Sequence, residues 1–172
     1  LDTFSGEVQE TLTQLTKDIY ALAGSEFNIN STKQLGVILF EHLELPTGKK
    51  TKTGYSTNEA VLSSLKDKHE IIPKLLEYRE VYKLFSTYIE PLGKIGREDS
   101  KSRIHTSFVQ TGTATGRLSS KNPNLQNIPA RRELGLKIRE AFVAGEGKKL
   151  IGLDYSQTVS YNNLTLPTIC MM

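Results

Sequence analysis

Val8, Leu12, Leu15, Ile19 and Leu22 recur at the three- and four-residue spacing of one helical face, with Ser5 available as N-cap and Gly24 as stop. This spacing predicts a first helix over residues 6–23. Ser31 and Gln34 make a capping-box pair ahead of Leu35, Ile38, Leu39, His42 and Leu43, predicting a second helix that ends before Pro46. Ser56 and Glu59 repeat the pair ahead of Val61, Leu62 and Leu65, and a fourth helix is expected from Pro73 to Ile89, stopped by Pro91. The third and fourth are expected to pack as an antiparallel pair.

The texture then changes from helical period to alternation and turns. Arg103-Ile104-His105-Thr106-Ser107-Phe108-Val109 has the β-branched and aromatic content of a strand, and residues 149–154 suggest a second. Between them lie long polar loops, in which Asn122-Pro123-Asn124 and Asn127-Ile128-Pro129 impose extended or turn geometry. An irregular stretch of that length is more often functional than idle. The expected fold class is α+β: a helical arm, then the opening of an α/β domain, with no internal repeat.

Composition narrows the class. The 172 residues, 37% hydrophobic and 24% charged, describe a soluble globular chain. No apolar run approaches the roughly 18 residues of a membrane span, so a cytoplasmic protein without a membrane partner is expected. Cys170 is the one cysteine and cannot form an internal disulfide. The first residue is leucine, and the chain is expected to begin within a longer protein.

The net charge of +3 is unevenly placed. Residues 1–45 carry two Lys against seven Asp or Glu, net −5, while residues 101–149 carry ten Lys or Arg against three Glu, net +7. A phosphate-bearing partner would be drawn to the second region by counterion release. A solvated basic surface fits the charge equally well. The loop Thr47-Gly48-Lys49-Lys50-Thr51-Lys52-Thr53-Gly54-Tyr55-Ser56-Thr57 combines lysines, hydroxyls and the free amides of a helix start, a set suited to phosphate contact and also to a plain solubilising tip. Near the other end, the apolar run 150–153 delivers Asp154 into the polar turn Tyr155-Ser156-Gln157, a way of presenting an oxygen ligand to a divalent ion.

The order of these motifs carries a resemblance. Lys50 to Thr57, Tyr78-Arg79, Thr87-Tyr88, Arg103 to Phe108, Thr113-Ala114-Thr115-Gly116-Arg117-Leu118-Ser119-Ser120, Asn122 to Pro129, Ile138-Arg139-Glu140-Ala141-Phe142 and Asp154 to Gln157 together closely resemble the bacterial DNA polymerase I family, the family A DNA polymerases, over residues 5–157. The resemblance implies a helical thumb over residues 1–98, the N-terminal part of an incomplete α/β palm over 99–157, and a divergent tail over 158–172 outside the fold.

It also implies roles. Lys49, Lys50, Lys52, Ser56 and Thr57 would grip the duplex backbone. Arg117 would lie in the minor groove at the primer terminus, where every Watson–Crick pair presents acceptors. Asn122, Asn124, Gln126 and Asn127 would contact template and primer, with His105, Arg139 and Gln157 as lesser candidates. Asp154 would be catalytic and would hold two Mg2+ ions, with the backbone carbonyl of Tyr155 as a further ligand. The implied partners are primer-template DNA and deoxynucleoside triphosphates, handled by a monomer in replication and repair.

Two-ion chemistry needs a second carboxylate. In the family it comes from a His-Asp-Glu segment, and a fingers helix grips the triphosphate; neither occurs in this sequence. After Gln157 the family continues Ile-Glu-Leu-Arg, whereas this chain reads Thr158-Val159-Ser160-Tyr161. So abrupt a break looks like a changed reading frame, an assembly error or a boundary. The resemblance thus implies a DNA-directed DNA polymerase by family whose 172 residues alone are inactive; the alternative is a non-catalytic DNA-binding module.

Overall fold

A computed structural model describes residues 2–46, 50–51, 54–129 and 133–152. Residues 1–141 form one compact unit, and a second begins at Phe142.

Helix α1 (Asp2–Ala23) presents Val8, Leu12, Leu15, Ile19 and Ala23 as its buried face. It begins before Ser5, which therefore lies inside the helix rather than capping it. Gly24 stops it in the left-handed region, at φ 69°, where a Cβ would be strained. Helix α2 (Thr32–Val37) is capped by Ser31, whose hydroxyl accepts from the Gln34 amide. The reciprocal half of the capping box does not form, because the Gln34 Oε1 accepts from the Asn28 amide at 2.7 Å instead. A π-helical turn (Ile38–His42) follows, closed by Leu43 N–H donating to the Ile38 carbonyl.

Strands β1 (Lys50–Thr51) and β2 (Gly54–Tyr55) make a short antiparallel hairpin, Lys50 opposite Tyr55. Its base is packed tightly. A Cβ on Gly36 would lie 3.1 Å from that of Tyr55, and the Tyr55 ring sits 5.0 Å from that of Phe40. Helix α3 (Glu59–Ser64) is capped by Asn58, which accepts from the Val61 amide at 2.9 Å, so the expected cap at Ser56 shifts two residues.

Helix α4 (Ile71–Leu84) packs along α1 and is also contacted by α3. Ile71, Ile72 and Leu75 of α4 and Ile19 of α1 are fully buried, and each such side chain contributes about 2 kcal/mol. At the exposed margin Lys74 pairs with Asp18 at 3.0 Å. That hydrogen bond lowers the Asp18 carboxyl and raises the Lys74 ammonium from their ordinary values.

Neither proline acts as the sequence suggests. Pro73 lies inside the first turn of α4, which starts at Ile71. Pro91 does not end the helical run. A second π-helical turn (Phe85–Ile89) closes with Glu90 N–H donating to the Phe85 carbonyl, and helix α5 (Glu90–Glu98) continues past Pro91. The wider turn falls just where the proline removes a donor.

Strand β3 (Ser107–Val109) pairs antiparallel with β4 (Ser119–Lys121), Phe108 opposite Ser120. The expected strand over 103–109 is shortened to its last three residues, because the segment before it is tied by side chains. The Asp99 carboxylate accepts the Lys101 and Arg103 amides, both at 2.9 Å, and Thr106 Oγ1 donates to the Pro123 carbonyl at 2.7 Å.

Helix α6 (Glu133–Glu140), not expected from the pattern, buries Gly135 and Ile138. A Cβ on Gly135 would lie 2.5 Å from the Pro129 carbonyl oxygen, so only glycine permits this approach.

In the second unit, residues 149–152 form no strand, contrary to expectation, and Leu150 and Ile151 are 71% and 81% exposed. No described strand pairs with them. The remainder of that expected strand lies outside the described residues. The architecture is helix-rich with two small sheets, an α+β chain as expected.

Candidate nucleic-acid interface

The richest polar arrangement surrounds the β3–β4 hairpin. Its connection, residues 110–118, turns through Gly116 at φ 72°, and Thr113 Oγ1 donates to the Arg117 carbonyl at 2.7 Å. Arg117 is exposed at the exit of this turn. Beyond β4, Asn122 adopts φ 55°, a left-handed conformation that asparagine tolerates better than most residues, and the Asn122–Pro123 bond is cis.

Ser120 anchors the following loop. Its buried hydroxyl accepts from the amides of Leu125 (3.0 Å) and Gln126 (3.3 Å) and donates to Asn124 Oδ1 at 3.1 Å. Asn124 Oδ1 also accepts from the Gln126 amide at 3.0 Å. The Gln126 carboxamide accepts from the Ser120 amide at 3.0 Å and donates to the Leu118 carbonyl at 3.1 Å. Asn127 is exposed, and its carbonyl accepts from the buried Tyr88 hydroxyl at 2.6 Å, tying the loop to the helical arm.

A second polar cleft, of about 460 Å3, is lined by Asn30, Tyr55, Ser56, Thr57, Asn58 and Arg79. Thr57 is buried, and half-buried Arg79 donates to its carbonyl and, at 3.3 Å, to its hydroxyl. Burial lowers the Arg79 guanidinium from its ordinary value. The fork of one arginine therefore fixes the residue joining β2 to the cap of α3.

The remaining candidates are dispersed. His105 is exposed, 3.5 Å from Asp99, whose carboxyl is lowered by the Arg103 and Lys101 amides and, less strongly, by His105. Arg139 is exposed on the last turn of α6. Lys50 lies in β1, while Lys49, Lys52, Asp154, Tyr155 and Gln157 fall outside the described residues. The structure thus joins Arg117, Asn124 and Gln126 through one hydrogen-bonded loop, and places Ser56 and Thr57 in a separate cleft. Sequence reasoning assigned no role to Ser120, Arg79 or Tyr88. Tyr88 and Arg79 stand in recognised dipeptides, but only their tertiary partners reveal what they hold.

Among the described residues no group of three His, Cys, Asp or Glu could hold a metal ion. No helix among them is long and apolar enough to cross a membrane.

The sequence matches the model of DNA polymerase family A over residues 1–158. The chain belongs to this family. The match ends within one residue of Gln157, where the resemblance breaks off. Among family A relatives, DNA polymerase I of Bacillus caldotenax is 57% identical over 159 residues, covering 91% of this chain and 18% of that protein. DNA polymerase I of Lactococcus lactis subsp. cremoris is 55% identical over 157 residues, again 91% and 18%. The thermostable DNA polymerase I of Thermus aquaticus is 52% identical, at 91% and 19%. The chain therefore spans about a fifth of the length of these family members. Among solved structures, the POL domain of Pol1 from M. smegmatis, in complex with DNA primer-template and dNTP, superposes with a TM-score of 0.77 at 44% identity, covering 85% of this chain and 26% of that one.

Proposed function

We propose that this chain is the part of a DNA-directed DNA polymerase that grips the primer-template duplex and supplies one carboxylate of its catalytic centre. The observation that carries this reading is Arg117, exposed at the exit of a hairpin turn where its own carbonyl and that of Leu118 are both held by side chains. Membership of the family, and a relative solved with primer-template and dNTP, support it. Residues 1–98 act as thumb and 99–157 as the opening of the palm. The whole protein works as a cytoplasmic monomer in replication and repair.

The surface residues divide the work by chemistry. Arg117 donates to the acceptors that every base pair shows in the minor groove, testing pair geometry without reading sequence. Asn122 and Asn127 offer exposed carboxamides that both donate and accept, with Asn124 and Gln126 in the same loop. Ser56 and Thr57, with the lysines at 49, 50 and 52, contact phosphates. His105 and Arg139 add charge at the margin.

Asp154, with the Tyr155 carbonyl, is the metal ligand that family resemblance implies, and magnesium there would activate the primer hydroxyl and hold the triphosphate. In the family the second carboxylate of such a site comes from a His-Asp-Glu segment, which this sequence does not contain. The 172 residues alone therefore bind duplex without extending a primer. Fluorescence anisotropy with a labelled primer-template should show salt-dependent binding, weakened about tenfold by Arg117→Ala. Absence of binding at low salt would refute the grip; primer extension that Asp154→Ala abolishes would refute the predicted inactivity.

A further inference from the structure

Among the described residues strand β4 has one strand-paired edge and one edge that no strand covers. In an antiparallel ladder the residues facing the partner alternate with residues whose amide and carbonyl point away from it. Ser120 is of the second kind: its amide donates to Gln126 Oε1, and two residues earlier the Leu118 carbonyl receives Gln126 Nε2. One side-chain amide stands where a third strand would be. Both of its polar atoms have backbone partners within the chain.

The carbonyl of Arg117 is held by Thr113 and that of Leu118 by Gln126, so the peptide groups following Arg117 are fixed one after the other. Gln126 is itself fixed, since its own amide is shared between the Ser120 hydroxyl and Asn124. We propose that Gln126 is a positioning residue for Arg117, holding the hairpin exit so that the guanidinium meets the duplex in one place, rather than serving chiefly as a nucleic-acid contact. The inference rests on reading Arg117 as a duplex contact. It adds that a neighbouring polar residue reaches DNA through the backbone.

The test uses the full chain in two independent arms. In the first, amide exchange at Ser120 is followed by NMR without DNA: Gln126→Ala should accelerate it about tenfold, whereas Gln126→Glu, which keeps an acceptor for that amide, should leave it slow. In the second, primer-template affinity is measured for Gln126→Ala, Arg117→Ala and the double variant. Each single change should weaken binding, and the double should be no weaker than Arg117→Ala alone. Losses that multiply in the double variant would show Gln126 touching DNA independently and overturn the proposal. Unchanged Ser120 exchange in Gln126→Ala would overturn it as well. Wild-type affinity in Arg117→Ala would instead overturn the functional reading beneath it, leaving the exchange arm to score the hold of Gln126 on the backbone.

Discussion

Replacing Gly135 by alanine should destabilise the chain, although the same change at Gly6 or Gly96 should do the opposite. Alanine in a helix interior is favoured over glycine by about 1 kcal/mol, chiefly through lost freedom of the unfolded chain. At Gly135 the new methyl would lie 2.5 Å from the Pro129 oxygen, 2.8 Å from its Cβ and 3.0 Å from its carbonyl carbon. Non-bonded heavy atoms reach optimal separation near roughly 3.5 Å, so α6 or the Pro129 backbone must retreat by about 1 Å. Overpacking of that kind costs about 1–3 kcal/mol, and all three obstacles are backbone or ring atoms that cannot rotate aside. The propensity gain offsets about 1 kcal/mol of this, leaving a net loss of up to about 2 kcal/mol. Urea denaturation measures it, with Gly6→Ala and Gly96→Ala as internal controls. Both of those helical glycines have no heavy atom within 4 Å of an added Cβ, and their variants should gain about 0.5–1 kcal/mol. A Gly135→Ala chain as stable as the controls would refute the close approach of α6 to Pro129.

Arg79→Leu should cost about 2 kcal/mol in the same assay, because the buried Thr57 carbonyl loses a charged donor; Arg79→Lys should recover only part, since one ammonium cannot reproduce the fork. Tyr88→Phe should lose about 1 kcal/mol and loosen the 122–127 loop, seen as faster amide exchange there; unaltered exchange would show that the hydroxyl does not tether it. The Asp99 carboxyl is lowered by two backbone amides, so its contribution is present above the ordinary aspartate value of about 4 and lost as pH falls through the lower folded value. Melting between pH 7 and pH 2.5 should therefore show Asp99→Asn converging on wild type at the acid end, and parallel curves would contradict this.

What could be read from the chain follows from where the determining forces act. The apolar face of α1 and its glycine stop are local, and both were legible. Capping was legible in place at Ser31 but only in kind before α3: Ser56 and Asn58 both suit an N-cap, and only the tertiary clamp of Arg79 on Thr57 shows why the helix starts after Asn58. Helix α6 escaped notice because Gly135 interrupts a short pattern, and its value lies in contact with Pro129, which no spacing reveals. The polar loop after β4 stands out in the sequence by its asparagines and glutamine. Side chains that recognise nucleic acid and side chains that hold a loop are chemically the same, however, and composition could not tell that Gln126 is engaged by backbone on both of its polar atoms.

The π-helical turn over Phe85–Ile89 sets a phase. A residue in an α-helix advances the side-chain direction by about 100°, and a π turn absorbs one residue without the corresponding advance along the axis. Everything downstream is keyed to that absorption: Leu92 and Gly93 are buried because the turn takes up the extra residue. Deleting one residue within the turn would leave an ordinary helix of good length. It would also leave Leu92 in its buried phase, whereas straightening the turn without the deletion would advance everything after it by about 100°, turning Leu92 toward solvent and re-aiming the chain that leaves α5. The wide turn is therefore the place where the helical arm takes up one residue without turning the surface that follows it.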